Sequence, residues 1–220
     1  MSANEDEGAS QTVVRFLQNQ IVKVVQDGVG PITGSVPYAE ARLSKAGPAP
    51  DDAAIERVID RLTAESVAAS STNGFVTGLG GFVAMPVTIP ANVAGSLVIN
   101  ARLVGAIAHL RGYDLTDPHV QSIVTLTTAG GTLAGTLHSV GVQVGAKLTA
   151  QAIKSIPIAV IRAINTRVGF MLLAKYGTQR SVLTLAKAIP VAGGLVGAGV
   201  DATLTALVAR TARANFPAHV

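Results

Sequence analysis

The chain has no cysteine and no tryptophan. Without cysteine, disulfides, thiolate metal sites and a cysteine nucleophile are excluded together. Aromatic residues make up 4% of the sequence. Membrane-spanning helices ordinarily place Trp and Tyr at the bilayer interfaces, so this scarcity argues against a chain that crosses a bilayer repeatedly. Charge is scarce as well, at 14% against roughly 25% in an average domain. No Asp, Glu, Lys or Arg lies between Glu65 and Arg102, and none from His119 to Ala146. The second half is nearly devoid of acid, Asp201 being its one carboxylate after residue 118. Paired carboxylates for acid–base work are therefore missing there. The phosphate-cradling pattern G-x-x-x-x-G-K-[ST] and the nucleophile elbow G-x-S-x-G are absent too. His109, His119, His138 and His219 have no metal-ligand spacing. The expectation is a protein without catalytic residues, cofactor or metal.

What is present is small and aliphatic. Of 220 residues 49% are apolar, supplied mainly by Ala, Val, Leu and Ile, and the mean hydropathy is +0.45. The length suits one sizeable core. Charge divides along the chain. Residues 1–118 hold 8 bases and 12 acids, a net of −4, and residues 119–220 hold 9 bases and one acid, a net of +8. Such asymmetry points to an anionic partner, here a membrane surface or a lipid-like ligand, with no nucleic acid expected. The bland alternative is a solvated basic face. The opening MSANEDEGAS is acidic and lacks a basic region followed by an apolar stretch. It does not read as a secretory signal, so a cytoplasmic location is expected, at the inner face of the cell membrane.

Residues 1–9 offer no apolar pattern and are expected as a disordered acidic tail. From Ser10 to Gln26, Val13, Val14, Leu17, Ile21, Val24 and Val25 recur at helical spacing. A Gly/Pro linker over 27–37 and a short helix over 38–45 complete an N-terminal unit of residues 10–50. Asp51 or Asp52 caps the next helix, whose stripe is Ile55, Val58, Ile59 and Leu62. Then comes the stretch around which the chain is organised, Gly74 to Asp114, crowded with glycine and broken by Pro86 and Pro90. It is either the buried centre of a helical domain or a segment that meets lipid. Helices are expected over 74–85 and 91–111. Beyond the connector GYDLTDP, where Thr116 or Asp117 is the cap, follow a glycine-rich stretch over 119–146 that divides near Gly141, and helices over 142–155, 158–175 and 180–188. A last helix ends at Phe216. Strand signals are weak, and the fold class is all-α.

Glycines four apart recur: Gly74 with Gly78, Gly131 with Gly135, Gly141 with Gly145, and Gly193 with Gly197. Such spacing lets helix backbones approach closely, in lipid or in a soluble core. Gly197-Ala-Gly199-Val-Asp-Ala202 fits G-x-G-x-x-A but lacks the strand and βαβ frame that dinucleotide binding requires. Arg102, Asp114, Asn165 and Asp201 are polar residues in apolar surroundings and are candidates for burial. Because buried ions must be paired, an Arg102–Asp114 bridge or a Lys–Asp201 bridge is expected.

Taken together, GFVTGLGGF, MPVTIPAN, ARLVGAIAHLRGYDL, GVQVGAKL, IPIAVIRAINTRVGF, LAKYG and AKAIPVAGGLVGAGVDATLT resemble the EcsC family of bacterial proteins over residues 52–216. The resemblance implies a mostly helical protein loosely linked with membrane transport or secretion. It carries over no catalytic residue. The functional expectation is a non-enzymatic helical protein held peripherally on the membrane. Phe75, Leu79, Phe82, Met85, Pro86 and Pro90 would dip into lipid, and Lys147, Lys154, Arg162, Arg167 and Lys175 would meet anionic headgroups. Two alternatives stand beside it: a soluble carrier of a lipid-like ligand, and a subunit that meets a protein partner or copies of itself.

Overall fold

The computed structural model describes residues 3–71, 91–139, 149–176 and 193–218. The architecture is all-α, with one two-residue-per-strand hairpin. In chain order the elements are α1 (Ala3–Gln26), β1 (Gly28–Val29), β2 (Ile32–Thr33), α2 (Ser35–Leu43), a 3-10 turn (Ser44–Ala46), α3 (Asp52–Ser71) and α4 (Ala91–Leu110). Then follow α5 (Pro118–Thr128), α6 (Leu133–Ser139), α7 (Ala150–Lys154), α8 (Ile158–Tyr176) and α9 (Gly193–Asn215).

Helix α4 is the axis of the packing and touches α1, α2, α3, α5 and α9. Leu97, Val98, Ile99, Ala101, Leu103, Val104, Ala106, Ile107 and Ala108 are all buried, so apolar side chains cover its whole circumference. A helix apolar all round must be enclosed by protein or lipid, and here its neighbours enclose it. From Gly95 onward this part of the uncharged stretch is core. Gly105 lets α2 dock: a side chain there would run into Ser35 and Val25, and Ser35 Oγ donates to the Arg102 carbonyl at 3.0 Å.

Helix α3 buries the expected stripe, with Val58, Ile59 and Leu62 inside and Ile55 packed against them. Asp51 is its cap, accepting from Ala54 N at 2.7 Å. Asp117 caps α5 by accepting from His119 N, with Pro118 at the first helical position. The last helix is locked at its end. Asn215 Nδ2 donates to Thr127 Oγ1 and the Gly131 carbonyl, and its Oδ1 accepts from Leu133 N. Phe216 meets Tyr113 edge to face, ring centroids 5.1 Å apart. Arg111 donates to the carbonyls of Arg213 and Phe216 and bridges to Glu56, which also pairs with Arg213.

Several expectations change. Helix α1 begins at Ala3, so most of the run assigned to a tail lies within the helix. The linker over 27–37 contains the hairpin, with Gly28 and Gly30 at φ 83° and 54°, and α2 starts at Ser35. The glycine-rich stretch after α5 has a turn at Gly130, φ 96°, and the division expected near Gly141 lies outside the described residues. The helix expected over 142–155 is described only as α7, capped by Thr149. The helices expected over 74–85 and 180–188, and the pairs Gly74–Gly78 and Gly141–Gly145, lie outside the described residues. Gly131 abuts Leu126 of the preceding helix, and Gly135 meets only Thr132. The close helix approaches found among the described residues fall instead at Gly105 and at Gly169 on Val14.

Candidate functional site

Two features stand out once the core is accounted for. The first is the outer face of α8. Pro157 closes the start of this helix, its carbonyl accepting from Val160 N and Ile161 N. Ile161, Ile164, Val168 and Leu172 point inward at spacings of three and four residues, and the helix packs on α1, α5 and α6. Gly169 brings α1 in so closely that a Cβ there would stand 2.9 Å from Val14. With Val168 and Gly169 both turned inward, Phe170 is carried to the opposite side, where it is 73% exposed. Ile158, at the start of α8, is 60% exposed. Arg162 and Arg167 lie exposed between them, with Lys154 just before at the end of α7. Neither α7 nor α8 contains an Asp or Glu. A large aromatic left in water on a helix whose Arg162 and Arg167 make no ion pair among the described residues is not explained by folding.

The second feature lies where α2, α3 and α4 meet. Tyr38 of α2 is buried, and two guanidiniums stack on its ring: that of Arg102 at 3.9 Å and that of Arg42 at 4.4 Å from the centroid. Such cation–π contacts partly offset desolvation. Glu65 of α3 accepts from Arg42 at 2.8 Å, from Arg61 at 3.1 Å and, more loosely, from the Tyr38 hydroxyl at 3.4 Å. Burial by itself would raise the Glu65 carboxyl, but the hydrogen bonds from Arg42 and Arg61 outweigh it and hold the group below its ordinary value. Arg102 has no such partner. Its buried Nε makes no hydrogen bond, and burial depresses the basicity of the guanidinium.

The residues singled out in the sequence fare unequally. Lys154, Arg162 and Arg167 share the exposed α7–α8 region, as expected of a basic surface. Lys175 falls in the last turns of α8, beyond the side chains described. Phe75, Leu79, Phe82, Met85, Pro86, Pro90 and Lys147 lie outside the described residues. Arg102 is half-buried, but it stacks on Tyr38 and does not bridge to Asp114. Asp114 is exposed and not a buried polar group. It closes its own turn, accepting from Thr116 Oγ1 at 2.7 Å and Thr116 N at 2.9 Å, and these bonds hold its carboxyl below its ordinary value. Asp201 is half-buried on α9.

Asn165 accepts from Gln18 through its carbonyl. Its side chain, with those of Gln18, Asn19, Gln121, Ser122 and Thr125, lines a 270 Å³ open cleft between α1, α5 and α8. Sequence reasoning missed Tyr38, Glu65, Ile158 and Phe170. The step of four joining Ile158, Arg162, Thr166 and Phe170 was a legible signal for the last pair. Nothing local linked Tyr38 to Arg102.

Comparison with known proteins gives one result. No curated protein and no solved structure matches the chain significantly. The model of the EcsC protein family matches residues 53–217, which span α3 through α9 and so include the core helix and the α8 face. The chain belongs to the EcsC protein family.

Proposed function

We propose that this protein attaches peripherally to an anionic membrane surface through the outer face of α8, as a non-enzymatic accessory of transport or secretion. The observation that carries the reading is the exposure of Phe170 and Ile158 beside Lys154, Arg162 and Arg167. Peripheral attachment takes two weak signals together, an apolar insertion and a basic patch. Full burial of a Phe or Ile side chain contributes about 1.5–3 kcal/mol. Each base near an anionic surface adds on the order of 1 kcal/mol. The sum is comparable to the reversible hold of a single myristoyl chain. No described helix is long and apolar enough to cross a membrane, which accords with attachment from one side. The cleft beside α8 mixes amide and hydroxyl residues with Val22 and Pro118 and is open to solvent, whereas a lipid carrier would enclose an acyl chain.

Flotation with vesicles of phosphatidylglycerol and phosphatidylcholine tests this. Wild type should float at low salt and lose part of its binding as salt rises, since headgroup attraction is screened within about 8 Å at physiological ionic strength. Arg162→Gln with Arg167→Gln should remove the salt-sensitive part. Ile158→Ser with Phe170→Ser should remove the remainder without lowering the melting temperature, because both side chains are already in water. Wild type that stays with the soluble fraction at low salt contradicts the proposal.

A further inference from the structure

We propose that Arg102, supported by Arg42 over the Tyr38 ring, forms a binding site for a phosphate group where α2, α3 and α4 meet. The argument starts from unmet hydrogen-bonding capacity. A guanidinium has five N–H donors in a planar fork, and that of Arg102 makes no hydrogen bond among the described residues, although its Nε is fully buried. Buried polar groups are nearly always paired, and one that is not calls for a water, an ion or a ligand.

Charge makes the choice among these. The guanidiniums of Arg42 and Arg102 lie over Tyr38, and the one carboxylate beside it, Glu65, is already shared by Arg42 and by Arg61 of its own helix. The local excess is two positive charges, the complement of a phosphate dianion. The Arg102 guanidinium carbon sits 3.9 Å from the centre of a buried ring, so its position is already restrained before it engages an anion, and a planar fork pairs well with phosphate oxygens. The stack itself leaves the edge of the guanidinium unspent. This site is separate from the α8 face and does not depend on how that face is used.

The test uses the full-length protein and inorganic phosphate, with chloride at equal ionic strength as the control. Phosphate should raise the melting temperature of wild type, and calorimetry should show saturable binding. Arg102→Met keeps a long side chain over Tyr38 but removes the charge. It should melt no lower than wild type without phosphate, because it replaces an unpaired, half-buried charge, and it should bind phosphate at least tenfold more weakly. Arg102→Lys keeps the charge without the fork and should fall between the two. Vesicles of phosphatidic acid in phosphatidylcholine, added to the Ile158→Ser, Phe170→Ser double variant, identify the source. Binding that depends on Arg102 there assigns a lipid headgroup, whereas binding of soluble phosphate alone assigns a free phosphate or phosphorylated metabolite. If wild type responds to phosphate no more than to chloride, or if Arg102→Met binds it equally well, the site does not exist. A lower melting temperature for Arg102→Met with no phosphate effect in wild type would make Arg102 a packing residue of Tyr38.

Discussion

Glu65 shows how much one side chain can hold together. It ties Arg42 of α2 and Arg61 of its own helix, and so joins α2 to α3 beside the buried Tyr38. Its carboxyl is depressed below the ordinary value of 4.5 because two guanidiniums donate to it. A group whose pKa is lower folded than unfolded stabilises the fold above its unfolded pKa and loses that contribution as pH falls through the folded value. Wild type should therefore lose stability as pH drops below about 4.5. Glu65→Gln should be less stable than wild type at neutral pH, and the gap should close at lower pH, as read by melting temperature against pH. A gap that stays constant would mean that packing and not charge is at stake. Residue-scale legibility followed distance along the chain. Asp51 and Asp117 were readable as caps because their partners lie two or three residues away. The expected Arg102–Asp114 bridge failed because the true neighbour, Tyr38, is 64 positions distant and carries no charge to suggest pairing. Phe170 was missed because a Phe in a helix is ordinarily taken to be inside.

At the scale of elements, α3 was legible because apolar residues occupy one stripe and charges the rest. Helix α4 was legible as a helix but not in its surroundings, since a helix apolar all round does not say whether protein or lipid encloses it. The hairpin at Gly28–Thr33 was hidden because two residues per strand are too few for alternation to show. Of the glycine pairs four apart, Gly131 with Gly135 meets only Leu126 and Thr132, close in sequence, and Gly74 with Gly78 and Gly141 with Gly145 lie outside the described residues. Among the described residues, α2 docks on α4 at Gly105 and α1 on α8 at Gly169. Gly105→Ala tests the first approach. The added methyl meets Ser35 and Val25, and overpacking of this kind costs about 1–3 kcal/mol, a fall of several degrees in the melting temperature of a chain this size. Ser35→Gly in the same chain should recover part of the loss, because it removes the nearest obstructing atoms. An unchanged melting temperature for Gly105→Ala would show that α2 can move aside freely.

On the scale of the whole molecule, two charged regions stand apart on different elements. The α2–α3–α4 junction carries the Glu65 and Arg102 cluster, and the α7–α8 region carries exposed bases and an exposed aromatic. The charge asymmetry was visible in the sequence as a net of +8 after residue 118. That Arg162 and Arg167 share the exposed side of α8 with Ile158 and Phe170 emerged only when the inward stripe of that helix was fixed by α1. The absence of tryptophan offers a direct probe of that face. Phe170→Trp would place the chain's single indole at the most exposed large apolar position among the described residues. On vesicles containing phosphatidylglycerol its emission should shift to the blue and be quenched by brominated acyl chains. Emission that keeps the water-exposed wavelength, unquenched, when vesicles are in excess would contradict attachment through α8.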